Sequence, residues 1–181
     1  ASECYATDDP DEGEAFVVAR RMAIPAVERK GALLLEDVGV PVPRLGELVT
    51  GIEEISRRRD VPIALIAHAG DGNTHPLLVV DPTDDDQRSR ADLAYGEIMD
   101  LAVALGGTIT GEHGVGMEKI NSMCVQFGRL ELDAFFAVKR AFDAPMLLNP
   151  DKAIPTPHRC AEFGKLHVRG GALPFPDLPR F

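Results

Sequence analysis

The sequence predicts an α+β fold: a ferredoxin-like β-α-β-β-α-β antiparallel sheet with helices on one face, followed by C-terminal helices. Three observations predict it. Short apolar runs rich in branched residues alternate with longer stretches of helical spacing, in the order that this motif requires. Two of the runs, PIALIAH and HPLLVVD, are separated only by the turn cluster Gly70 to Thr74, as in a hairpin. A last run, TIT, enters a glycine-rich turn, GEHGVG, before helical patterns resume.

Taken in order, the acidic stretch DDPDEGE reads as a solvated loop, and residues 14–30 as a helix that Pro25 ends or kinks. LLLEDVGVP at 33–41 reads as a strand closed by proline. Residues 43–59 carry apolar residues at helical spacing and basic residues at the end, as the helix dipole prefers. Strands are expected at 62–68 and 75–80. The acidic DPTDDD forms a loop, a long helix covers 84–105, and a fourth strand covers 107–111. Helices follow at 117–126 and 129–143.

Composition narrows the functions available. With 29 acidic residues against 19 basic, the net charge of −10 disfavours a nucleic-acid surface. No apolar run approaches the roughly 20 residues of a membrane span. Three cysteines, Cys4, Cys124 and Cys160, lack metal-ligand spacing, and their odd number fits a reducing, cytoplasmic setting better than a disulfide scaffold. The absence of an initiator methionine or a signal-like start suggests a piece of a longer protein.

The chemistry concentrates in HAGDGNTH at 68–75 and GEHGVG at 111–116. His68 and His75 would face each other across the mouth of the hairpin turn, where neutral imidazoles suit zinc or a similar ion. Glu112 and His113 sit at a strand end, a frequent place for ligand and catalytic groups. Successive strand residues point to opposite faces, so both serve one site only if the glycines break the pleat. Histidine is a residue type suited to proton transfer near neutral pH, which makes His113 a candidate base. The topology raises a difficulty, because the fourth strand of a ferredoxin-like sheet ends away from the turn between the second and third. Either the sheet departs from the simple order or the two segments do not form one site.

HAGDGNTH, GEHGVGMEK and LLNPDKAIP at 147–155 resemble the C-terminal half of FAD-linked oxidases of the vanillyl-alcohol-oxidase type, the group that includes 2-hydroxy acid dehydrogenases. ARRMAIPA at 19–26 and the tail at 156–181 resemble its glycolate oxidase branch. The resemblance implies a domain at 1–155 followed by a C-terminal tail at 156–181. It implies that His68, His75 and Glu112 bind a divalent metal (zinc, manganese or iron) which holds the substrate's 2-hydroxyl and carboxylate. His113 would then take the hydroxyl proton while hydride passes from C2 to the flavin N5, converting glycolate to glyoxylate. Arg20 matches the arginine that clamps the substrate carboxylate; the alternative is a solvated helix charge beside Arg21. Asn73 would face the flavin or only shape its turn, and Asn149 reads as a helix stop.

Two departures bear on the substrate. Relatives acting on 2-hydroxydicarboxylates carry lysine where this chain has Leu35 and asparagine where it has Leu77, which points to a small monocarboxylate, glycolate or D-lactate. Val17 also stands where the family often has tryptophan. No dinucleotide fingerprint is present. FAD is therefore expected to be held mainly by an FAD-binding domain elsewhere in the full-length chain, and residues 1–181 alone are expected to be inactive. The implied partners are other glycolate oxidase subunits, one of them iron-sulfur, with membrane association only through them. A metal-dependent hydrolase lacks its usual His-Glu-x-x-His helix here. A non-catalytic assembly module remains the other alternative.

Overall fold

The computed structural model describes residues 5–155. Helix α1 spans Pro10–Arg21 and α2 spans Ala23–Glu28. The helix starts earlier than its apolar spacing suggests, because part of the acidic stretch is its beginning. The Asp9 side chain accepts from the amides of Asp11 at 2.8 Å and Glu12 at 3.2 Å, and Pro10 occupies the first turn, where a missing N–H costs nothing. The break falls at Met22 instead of Pro25. Proline cannot donate to the carbonyl four residues back and crowds it, so the chain interrupts one turn earlier and Pro25 lies in the first turn of α2.

The sheet contains β1 (Ala32–Leu35), β2 (Val38–Gly39), β3 (Ile63–His68) and β4 (Asn73–Val80). β4 is central, with β3 antiparallel on one side and β1 and β2 end to end along the other. The single strand expected over 33–41 is thus split in two without any shift in register, since Leu35 pairs with Leu77 and Val38 with Thr74. The cause is Pro76. Glu36 donates to its carbonyl at 3.3 Å, but Pro76 has no N–H to return, and the ladder loses one bond there.

Helix α3 (Leu45–Arg59), entered by a 3-10 turn at Val42–Arg44, and helix α4 (Asp85–Ala104) cover one face of the sheet. Asp84, read from the sequence as loop, caps α4 by accepting from the Gln87 amide at 2.9 Å. Val38, Leu78 and Val80 meet Leu48, Ile52 and Ile55 of α3 and Ala94, Ile98 and Met99 of α4 in one buried core. Every residue of β4 is buried. Its alternation places Thr74, Pro76, Leu78 and Val80 toward the helices, and Asn73, His75, Leu77 and Val79 on the opposite face.

The expected fourth strand is absent as a strand. It survives as one antiparallel bridge between Thr108 and Gly39, made by bonds of 2.7 and 3.2 Å. Beyond it, side chains capture the backbone donors: Gln126 Oε1 accepts from the Ile109 amide at 2.9 Å, and Asp37 takes those of the next turn. The bridge places Thr108 beside β2, so the segment keeps a position at that edge of the sheet although the strand is lost. The helix expected at 117–126 is regular only over α5 (Met123–Gln126), after which α6 runs Arg129–Phe142. Among the described residues no helix is long and apolar enough to cross a membrane.

The β3–β4 turn depends on Gly72. Its φ is +81°, and a Cβ there would lie 2.0 Å from the Val40 carbonyl oxygen; Val40 donates to the Gly72 carbonyl at 3.0 Å. Gly72→Ala is expected to destabilise by roughly 2–4 kcal/mol. Gly70→Ala, with open space around it, should stay within about 0.5 kcal/mol of the parent. Urea midpoints measure both, and equal midpoints for the two variants would contradict this account of the turn.

Candidate metal centre

His68 and His75 lie on the same face of adjacent strands, the face opposite α3 and α4. The ladder pairs His68 with Asn73 and Ile66 with His75, so the two histidines are diagonal neighbours and not directly opposed as the hairpin reading suggested. Their ring centroids are 5.2 Å apart, edge to face. His75 is buried and His68 partly exposed.

The shortened fourth strand brings the second segment to them. Had pairing continued past Thr108, the chain would have run away from the hairpin turn. Instead residues 110–114 fold into a turn over Asp37, the residue set opposite His75 by the β2–β4 register. Asp37 Oδ2 accepts from the amides of Gly111 at 2.7 Å, Glu112 at 2.5 Å and His113 at 2.9 Å, and from the Thr110 hydroxyl at 3.2 Å. An extended strand sends successive N–H groups to opposite sides, so three consecutive donors on one oxygen mark an anion-binding nest. This curvature lets Glu112 and His113, adjacent in sequence, serve one site. Gly111 is required beside it, because a Cβ would fall 2.1 Å from the Asn73 side-chain oxygen.

Glu112 Oε1 lies 3.3 Å from His75 Nε2 and 3.8 Å from His68 Nε2. One ligand atom from each of His68, His75 and Glu112 falls within 4.8 Å of the others. Tetrahedral bonds of about 2.1 Å would set ligand atoms about 3.4 Å apart, so the donors need little movement to close on an ion. His75 Nδ1 is buried without a hydrogen-bond partner among the described residues. His113 stacks on His75 with centroids 5.1 Å apart and planes 25° apart, and its Nε2 is 3.9 Å from Glu112 Oε1. The four predicted residues therefore form one cluster, which answers the difficulty raised by the topology.

The other two candidates are placed differently, and Asn73 adjoins the cluster as the cross-strand partner of His68 and the neighbour of Gly111. Arg20 is exposed in the last turn of α1. Asn73 is buried, with its amide held by Asp71 Oδ1 at 2.9 Å and its own Oδ1 unpartnered among the described residues. It lines a cavity of about 440 Å³ together with Glu112, Gly39, Gly107 and Thr108.

Sequence reasoning missed Asp37 and Lys119 as parts of the site. Lys119 is almost fully buried; its Nζ donates to the Asp37 carbonyl at 2.6 Å and to Asp37 Oδ1, and lies 3.5 Å from Glu36 Oε2. Burial pushes the Glu36 carboxyl up, opposed by Lys119. Burial alone would also raise Asp37, but the Lys119 ammonium and the amides of His113 and Glu112 outweigh it and hold the carboxyl well below the usual range. The available signal was an ionisable pair, Glu36–Asp37, inside an otherwise apolar strand.

Fold and cluster together define an α+β domain with an imidazole–carboxylate donor set on the sheet face opposite α3 and α4. Residues 1–153 match the family described as FAD linked oxidases, C-terminal domain, and the chain belongs to that family. It is 46% identical over 182 residues to the glycolate oxidase subunit GlcD of Escherichia coli (strain K12), covering 100% of this chain and 36% of that protein. The Bacillus subtilis (strain 168) glycolate oxidase subunit GlcD is 42% identical over 144 residues, 78% of this chain and 31% of that protein. The mitochondrial D-lactate dehydrogenase [cytochrome] of Arabidopsis thaliana is 35% identical over 127 residues, 70% of this chain and 22% of its own length. The chain thus spans about a third of the length of the two glycolate oxidase subunits and about a fifth of that of the D-lactate dehydrogenase.

The depressed Asp37 carboxyl makes a pH prediction. An unfolded aspartate titrates near 3.9, so the stability from this lowered group is fully present above that value and declines as pH falls toward the folded value. Asp37→Asn should lower stability at neutral pH and flatten the acid limb below about pH 4. Urea midpoints measured across pH test it; parallel parent and variant curves would contradict the depressed carboxyl.

Proposed function

We propose that this chain is the substrate-side part of an FAD-dependent 2-hydroxy acid dehydrogenase that oxidises glycolate to glyoxylate, with residues 1–155 as the domain and 156–181 as its tail. The observation that carries the reading is the convergence of His68, His75 and Glu112, with His113 stacked against them, in a chain of the FAD-linked oxidase family. Two imidazoles and a carboxylate suit zinc, manganese or iron. When bound, the ion would supply Lewis acidity toward a 2-hydroxyl, and the flavin, held by the FAD-binding domain of the full-length chain, the acceptor for hydride.

The chain's own residues do the rest. His113 takes the hydroxyl proton; its imidazole is half-exposed and stands beside the donor set without being needed in it. Arg20 would clamp the substrate carboxylate with its planar guanidinium, and Asn73 would face the flavin. Leu35 and Leu77 are direct cross-strand partners on the face that carries His75. An apolar pair there gives a second carboxylate no partner, which supports a small monocarboxylate over a dicarboxylate. Electrons would leave through partner subunits, one of them iron-sulfur, in a cytoplasmic assembly that meets membranes only through those partners. A second reading, D-lactate as substrate, is favoured by the relatives named D-lactate dehydrogenase.

Two measurements on the full-length protein test this. Titration should find about one zinc or manganese per chain, with His68→Ala or Glu112→Ala weakening binding at least about tenfold. Dye reduction should be faster with glycolate than with D-lactate or 2-hydroxyglutarate. The reverse order between the first two selects the second reading, and no reduction with any of them removes the dehydrogenase reading.

A further inference from the structure

We propose that Asp37 is the positioning residue of this site: its buried carboxylate, locked by Lys119, fixes the turn at 110–114 and so aims Glu112 and His113 at His68 and His75. The purpose of that aim rests on the metal reading above, whereas the device itself rests on geometry. Asp37 is wholly buried opposite His75, and its carboxylate receives the Thr110 hydroxyl, three consecutive amides and the Lys119 ammonium. A carboxylate offers about four lone-pair sites, so these donors leave none with which it could itself bind an ion. Asp37 Oδ1 is 3.8 Å from His113 Nδ1, too far for a hydrogen bond. It therefore acts through the backbone of the residues that carry the ligand and base.

The charge and the second oxygen are both needed. An asparagine would have to turn its NH₂ either toward the amides of 111–113 or toward the Lys119 ammonium, setting donor against donor in each case. Lys119, 82 residues away in sequence, supplies the countercharge and also ties down the Asp37 carbonyl, so the strand, the turn and the following segment meet at one atom group. Fixing the turn from beneath leaves the arms of Glu112 and His113 as the only freedom in that half of the cluster.

The test is Asp37→Asn in the full-length protein, read by titration with Mn²⁺ or Zn²⁺ and by amide hydrogen exchange of the metal-free protein. Expected are an unchanged stoichiometry, affinity weaker by about 10–100-fold as for lost outer-shell partners, and faster exchange confined to residues 110–114. Parent-like affinity and exchange overturn the proposal; so does acceleration spread evenly through α3 and α4, which marks a general role in the fold. If the parent binds neither ion, the metal reading falls and exchange decides alone: local acceleration supports the positioning role and its absence overturns it. If Asp37→Asn does not fold, Thr110→Val removes one donor to the same carboxylate and is read in the same way, with a several-fold effect expected.

Discussion

A carboxylate removed from water must find its solvation inside the protein, and the arrangement around Asp37 follows from that requirement. Five donors from residues 110–119, far along the chain from it, meet on it, and together they set the course of that segment. The strand that would have completed the sheet stops after one bridge, and its amides turn inward. Glu112 arrives beside His75 because of that turn. Without a buried anion at position 37 the same backbone groups would have the β2 ladder as their natural partner, and the two motif segments would diverge.

The sheet supplies the other half by ordinary alternation. β4 is buried on both faces, so its helix-facing residues hold the core while its opposite face carries Asn73, His75 and Leu77. Pro76 is tolerated in this central position because β1 and β2 keep their register across the single missing bond. The histidines therefore rest on a rigid strand pair and Glu112 on a turn pinned from below, a division that suits a site whose geometry has to be fixed in advance.

Periodicity was enough to read the helices α3 and α4, the β3–β4 hairpin and the α+β class, since each is encoded within a short window. What it could not read was tertiary. The split between β1 and β2 originates in a proline on the neighbouring strand, about forty residues on. The lost fourth strand originates in Gln126 and Asp37, which claim amides that the local sequence TIT would assign to a ladder. Nothing in the local sequence marks Lys119, whose part in the site follows from its burial and its partners. The four residues of the cluster were legible as motifs, but their meeting was not, because spacing along the chain cannot report a strand that ends early.

An open sheet edge is a template for unwanted pairing, since its free amides and carbonyls invite a stray strand. β2 would offer such an edge had a regular fourth strand merely been lost. Instead the segment lying beside it holds its amides at 109 and 111–113 against side chains, leaving no row of donors with which a foreign strand could register. The turn that brings Glu112 and His113 to the two histidines thus also closes this flank of the sheet against aggregation, and mutations that loosen it are exposed to selection through solubility as well as through the site.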